Sequence, residues 1–319
     1  MIVRLQGENE KRSHIYYEYD NDSIPLHQSD TAVIYSGYCF KEGDKETYIP
    51  VAIKRLEYIS QDSVDGAVNE ASVQLIHDNL LRMYGFVSNI ECYPNSNAEV
   101  YRFYVIMELL HGVSLLDVLD ARFTDSFGIE CSYAKQLYEL FLKNRNEFVR
   151  TVMSSVLQGV KALHDAGYIH RCLNLSNVMI TQEGRVKVIG FWNSKKLDKI
   201  RRDDPPTRYC NITPNDYAAP EYGVLHLETF ATDIYSLGMI AFHLYTGRFP
   251  FTGTYLKFFN SRLPLREIKE SPLRDVIMKA TEKDPKNRYQ YIDELLHDIE
   301  KKSDITSEGW WASLRHSWK

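Results

Sequence analysis

The spacing of hydrophobic residues changes about one third of the way along the chain, and that change limits the fold more than any other feature. From Ile15 to about Met107 apolar residues fall into strands. Ile15, Tyr17 and Tyr19 alternate, and Ala32-Val33-Ile34-Tyr35 and Tyr48-Ile49-Pro50-Val51-Ala52-Ile53 are β-branched or aromatic runs separated by Gly, Asp and Asn. One helix is expected among them, about Ser63 to Ile76, and a polar loop, Pro94-Asn95-Ser96-Asn97, separates two further strands. From Leu115 onward the spacing is helical. Phe148, Val152, Val156, Val160 and Leu163 recur every three or four residues and mark one buried face. Ala231 to Tyr245 and Leu273 to Ala280 predict further helices, and Asp120 to Asn144 has room for an extra one. The first dozen residues are polar and predict a loose segment. A small strand-rich part followed by a larger helical part makes an α+β chain of two lobes joined near Glu108-Leu109-Leu110.

At 319 residues the chain can bury one large core or two. Its 44% apolar and 25% charged residues are ordinary for a globular protein, and a net charge of −5 implies no basic face, so nucleic acid is not an expected partner. The five cysteines, Cys39, Cys92, Cys131, Cys172 and Cys210, are scattered with no C-x-x-C pair. That argues against a zinc site or a disulfide framework and suits a reducing, cytoplasmic setting. The start, Met1 to Glu8, lacks the apolar run of a signal peptide. No stretch approaches the roughly 18 apolar residues of a membrane span, so none is expected.

The segment from Gly167 to Ile180 is the most informative. His170-Arg171-Cys172-Leu173-Asn174-Leu175-Ser176-Asn177, followed by Val178-Met179-Ile180, resembles the catalytic loop of protein kinases, H-R-D-x-x-x-x-N before apolar residues. Other segments follow in that family's order. Val51-Ala52-Ile53-Lys54 resembles the strand that supplies the phosphate-contacting lysine, and Glu70 resembles its ion-pair partner. His77-Asp78-Asn79-Leu80-Leu81 resembles the turn after the small lobe's helix. Val105-Ile106-Met107-Glu108 resembles the hinge, with Met107 as gatekeeper. Ala219-Pro220-Glu221 matches A-P-E, and Asp233-Ile234-Tyr235-Ser236-Leu237-Gly238 is similar to the D-x-W-S-x-G helix. Asp284-Pro285 with Arg288 resembles the late motif whose arginine pairs with the A-P-E glutamate. The matches run from about Pro25 to Ile299 and sit loosely nearer bacterial serine/threonine kinases. The resemblance implies a bilobal protein-kinase-like fold. Its parts would be a flexible stretch over 1–14, a small β-rich N-lobe over 15–107, a larger helical C-lobe over 108–302 and an aromatic tail over 303–319.

What that family uses for chemistry is missing at several positions. The aspartate that accepts the substrate proton is Cys172, a thiol of ordinary pKa about 8.5 and mostly protonated at neutral pH. The metal-binding D-F-G is Gly190-Phe191-Trp192, so Gly190 offers no ligand. Asn177 keeps the second metal position, and one amide oxygen is a poor hold for Mg²⁺. The phosphate-loop glycines are His27, Ser29 and Ala32, within Leu26-His27-Gln28-Ser29-Asp30-Thr31-Ala32-Val33-Ile34-Tyr35-Ser36-Gly37. Side chains there hold the backbone away from phosphate, and Asp30 repels it; a plain hairpin with a polar turn is the simpler expectation. Asn174 replaces a phosphate-neutralising lysine. Lys54 and Glu70 survive as a nucleotide clamp or a structural ion pair. The step from Glu70 to His77 is shorter than usual, which puts the helix register in question. Ile34, Ala52 and Met179 would sandwich a purine or complete an apolar spine. A nucleophilic Cys172–His170 pair is disfavoured, because the family geometry points the two apart.

A positioned base contributes roughly 10²–10⁴-fold and a metal several kcal/mol more, so losing both slows phosphoryl transfer by about five or more powers of ten. The resemblance therefore implies a catalytically impaired domain, a pseudokinase acting as a regulatory or protein-binding module, with an active kinase as one candidate partner. No cofactor is required, and any ATP binding would be weak and metal-independent. The alternatives are a divergent serine/threonine kinase, with Asp30 or Asp204 as substitute carboxylates, and a non-catalytic nucleotide sensor. The charged loop Lys195 to Asp204 and the tail Gly309 to Trp318 are candidate partner surfaces, and both have blander readings as a solvated loop and a packed tail.

Overall fold

Two kinds of local pattern build two compact units. The computed structural model describes residues 1–92, 99–197, 217–222, 228–250, 263–268 and 271–301. The Pro94 to Asn97 loop, Asp204, Cys210, the charged loop beyond Leu197 and the tail over 303–319 lie outside the described residues.

The first unit comprises Met1–His77, Leu81–His111 and Thr124–Ile129. Its strands are β1 (Ile2–Leu5), β2 (Ile15–Asp20), β3 (His27–Gln28), β4 (Ala32–Lys41), β5 (Asp44–Leu56), β6 (Met83–Cys92) and β7 (Glu99–Glu108). They form one antiparallel sheet in the order β1-β2-β4-β5-β7-β6, with β3 also on β4. Alternate residues of these strands, including Tyr17, Tyr35, Ile53 and Tyr104, make one core. Leu5 of β1 and Val87 of β6 share that core although their strands stand at opposite ends of the sheet order, so the sheet curls round its own interior.

The start of the chain differs from the expected loose segment. Residues 2–5 are a paired strand, and Glu8–Arg12 form a short helix, α1. Polar composition hid the reason: Leu5 is fully buried, and a buried leucine contributes about 1.5–3 kcal/mol. The helix α2 (Gln61–Ser72) starts and stops earlier than Ser63 to Ile76. Ser60 and Ser63 close a capping box at its head, and Val73 turns out of helical conformation to bury its side chain.

The second unit comprises Asp78–Leu80, Gly112–Phe123 and Glu130–Lys319. A single cut at residue 107 or 108 is therefore too simple. Asn79 accepts from the Val188 N–H and donates its amide to Val186 O, which holds residues 78–80 in this unit. The His111 ring packs 4.5 Å from Phe127, which keeps residues 124–129 in the other. Strands β8 (Gly112–Ser114), β10 (Val178–Thr181) and β11 (Val186–Val188) form a small sheet, and β9 (Tyr168–Ile169) pairs with β12 (Lys195–Lys196). The stretch after Asp120 holds the extra helix, α4 (Ser132–Lys143), which follows the short α3 (Leu115–Leu119). In α5 (Arg145–Asp165) the five residues of the predicted face are all fully buried. Helix α6 (Phe230–Thr246) is buried nearly all round, as the core helix of a domain should be, and α7 (Arg274–Ala280) packs on it. Among the described residues no helix is long and apolar enough to cross a membrane.

Candidate active site

In the first unit, Lys54 on β5 meets Glu70 on α2, Nζ to Oε2 at 2.6 Å. The short step to His77 does not shift the register, because α2 ends early and residues 73–77 follow outside any helix or strand. Strand pairing sets the apolar positions beside this ion pair. Ile34 lies opposite Lys54 across β4 and β5, and Ala52 lies opposite Met107 across β5 and β7. Glu108 is tied at both ends of the residue: its N–H donates to Arg82 O at 2.8 Å and its carboxylate accepts from the Arg82 N–H at 3.1 Å.

Residues 27–34 form a tight hairpin. His27 pairs with Ile34 and Gln28 with Val33. The Ser29 N–H donates to Ala32 O, and the Ser29 hydroxyl accepts from the N–H groups of Thr31 and Ala32. Backbone donors that a glycine loop would offer to phosphate are used here to close the turn. Asp30 is exposed at its tip.

The catalytic loop belongs to the second unit. Cys172 is buried, and its carbonyl accepts from the side-chain amides of Asn174 and Asn177, at 3.1 and 2.7 Å. Asn174 points inward, its oxygen capping the 3₁₀ turn Leu175–Asn177 through the N–H groups of Ser176 and Asn177. It therefore presents no group to a phosphate. Gly190 is left-handed, φ +79°, a conformation free to glycine and strained for most side chains. A Cβ added there would stand 2.5 Å from Asn177 Oδ1 and 2.7 Å from its Cγ. The amide of Asn177 fills the space where a metal-binding aspartate would begin. Met179 is half-buried on β10, opposite Lys187 and Ser114.

His170 is fully enclosed, and burial pushes its pKa down. Its Nδ1 accepts the Cys172 N–H at 3.2 Å, which leaves Nε2 to donate to Ile189 O at 2.9 Å. Both ring nitrogens are used, so the ring cannot activate the neighbouring thiol. Phe191 packs edge-on against the same ring, with centroids 5.5 Å apart.

Beneath the loop lies a charged network. Asp233 near the head of α6 accepts the backbone N–H groups of His170 and Arg171 at 2.7 and 2.9 Å, and meets His164 Nε2 at 2.8 Å. Burial works to raise the Asp233 pKa, but the His164 ring and these N–H donors hold it below the usual carboxylate range. Arg171 pairs with Glu228, and Arg288 forks onto Glu221 at 2.7 and 2.8 Å while donating to three backbone carbonyls. The Arg288–Glu221 contact is the pairing that the late arginine motif implied.

A family model for the protein kinase domain matches residues 35–301. The chain belongs to the protein kinase domain family. The kinase domain is 28% identical over 215 residues to a probable serine/threonine-protein kinase PknB of Lactococcus lactis, a match covering 65% of this chain and 31% of that protein. It is 28% identical over 209 residues to the probable serine/threonine-protein kinase CPE1738 of Clostridium perfringens, covering 62% and 27%. Against the MAP kinase kinase kinase wis4 of Schizosaccharomyces pombe it is 26% identical over 306 residues, covering 86% and 19%. The chain thus spans less than a third of the length of these relatives.

Sequence reasoning did not find Glu228 or His164. Glu228 lies outside every motif quoted, and only the rule that a buried guanidinium needs a carboxylate predicts such a partner. His164 did carry a signal, since it stands four residues after Val160 on the buried face of α5.

Proposed function

We propose that this kinase domain is catalytically impaired and serves as a regulatory or protein-binding module. The observation that carries the reading is at Gly190, where the metal aspartate is absent and the Asn177 amide occupies its starting space. Cys172 adds no carboxylate. One amide oxygen, already crowded, does not suit Mg²⁺, which takes carboxylate and phosphate oxygens in near-octahedral geometry. The residues present do not fit the ion. Loss of the base removes a further roughly 10²–10⁴-fold. The hairpin at Asp30 uses its own backbone donors and adds a negative charge where a polyanion would lie. Purified chain incubated with labelled ATP and Mg²⁺ or Mn²⁺ should label neither itself nor a generic protein substrate. Transfer that Lys54→Ala abolishes would overturn the reading. The proposed partner is a protein met in the cytoplasm, with an active kinase or another enzyme as candidate classes.

A second reading is favoured by the intact Lys54–Glu70 pair and the small Ala52 beside Met107. It is a nucleotide sensor that binds ATP without turnover. Its signature is a small, metal-independent rise in Tm with ATP that Ala52→Phe removes. A rise that survives Ala52→Phe would place the nucleotide elsewhere. A rise that requires Mg²⁺ would instead support a divergent kinase, with the serine/threonine activity named for its relatives.

A further inference from the structure

Arg171 stands beside the lost base and carries a charge that the loop's chemistry does not use. Its side chain is 1% exposed and that of Glu228 0%. Nε donates to Glu228 Oε2 at 2.6 Å and Nη2 to Oε1 at 3.2 Å, a two-pronged pairing of guanidinium with carboxylate. The third nitrogen, Nη1, lies 3.4 Å from Asn193 O, and the Tyr222 ring covers Cζ at 5.9 Å. Its backbone is equally committed: φ is +67° and the N–H goes to Asp233. Glu228 comes immediately before Thr229, the N-cap of α6, where a negative charge also meets the positive end of the helix.

Phosphorylation orders a loop by offering a dianion to an arginine whose fork is free to take it. Here the fork is taken. A phosphoryl group aimed at Arg171 would have to expel Glu228 and leave that carboxylate buried without its counter-ion, which is strongly unfavourable. We infer that Glu228 is a built-in anion that saturates Arg171 and locks the catalytic loop to the head of α6 without any phosphoryl group. Phosphorylation of the chain is not read through this arginine. The inference is independent of whether the domain transfers phosphate, and its readouts involve no activity.

The test uses the full chain, with thermal unfolding in inorganic phosphate and in chloride of equal ionic strength. The response of each variant is read against Arg171→Met/Glu228→Ala, so that binding elsewhere cancels. Wild type should show no phosphate-dependent rise in Tm. Glu228→Ala should lose several degrees in chloride and regain part of them in phosphate, because the anion enters the space beside the guanidinium. A wild-type rise above that of the double variant would overturn the inference. So would a Glu228→Ala response no larger than that of wild type. Should Glu228→Ala fail to fold, wild type decides alone. Chain phosphorylated by an added serine/threonine kinase is compared with the same chain after phosphatase, by hydrogen exchange over His170 to Asn177. Equal protection in both states is expected, and protection that follows the phosphate would sink the idea.

Discussion

Arg171 and Cys172 are adjacent in the chain, yet one is held by a buried ion pair and the other is a cysteine where the family motif has an aspartate. The difference is one of charge, since both residues are buried. Arg171, Asp233, Glu221 and Arg288 are all buried, and each charge there must be matched or the fold is lost. A catalytic carboxylate is held for its reactivity and supports little else. The loop keeps its shape round Cys172 because the carbonyl of that residue takes the amides of both Asn174 and Asn177, with the thiol a longer second acceptor for Asn174. The side chain at position 172 can therefore differ from the family's aspartate while these backbone contacts hold the loop.

The largest expected effect lies in the buried network. Arg288→Met leaves Glu221 without its partner and should cost about 3–5 kcal/mol in denaturant unfolding, whereas Cys172→Ala should cost far less. Equal losses would break the contrast between the two classes of position. The next effect is with pH. Burial pushes His243 down to about 4 from an ordinary 6.5, with the Tyr217 hydroxyl 2.7 Å from its Nδ1. The unfolded chain then takes up this proton first. Stability is complete above pH 6.5 and falls as pH drops from there toward 4, by up to about 3 kcal/mol. His170, also pushed down, adds to the loss below 6.5. Asp233 is held low, so its contribution persists until the pH falls below the ordinary carboxylate value near 4. Unfolding free energy measured from pH 8 to 4 should show the fall, and His243→Asn should flatten it.

Gly190→Ala comes third. It should lose about 1–2 kcal/mol for the left-handed backbone, and more if Asn177 resists moving. A crystal structure of Gly190→Asp should show the Asn177 amide displaced; a carboxylate accommodated with Asn177 unmoved would disprove the crowding. The smallest effect is at the hairpin tip, where Asp30→Asn should change stability by less than about 0.5 kcal/mol. A larger change would mean that the hairpin belongs with the structural network.

Much of this was legible beforehand. The Lys54 strand, the face of α5 and the catalytic loop are local patterns, and local patterns are what periodicity and motif spacing report. The N-terminal strand was missed because its value lies in the burial of Leu5 against strands far along the chain. The early end of α2 depended on Val73 finding a buried place, which no helix signal encodes. At the site, loss of the aspartates could be read from Cys172 and Gly190. The occupation of Gly190's space by Asn177, and of the Arg171 fork by Glu228, are meetings between distant residues with no spacing rule to announce them.

Leu5 and Val87 stand in one core. The interior they share also holds Tyr104 and Ile106, so it is complete only once the chain from the first strand to the seventh has been wound into place. Such a body gathers slowly, because contacts between remote residues must form before they reward the chain. No early stretch of it can be expected to stand as an autonomous module, and damage at either edge should be felt across the whole of it.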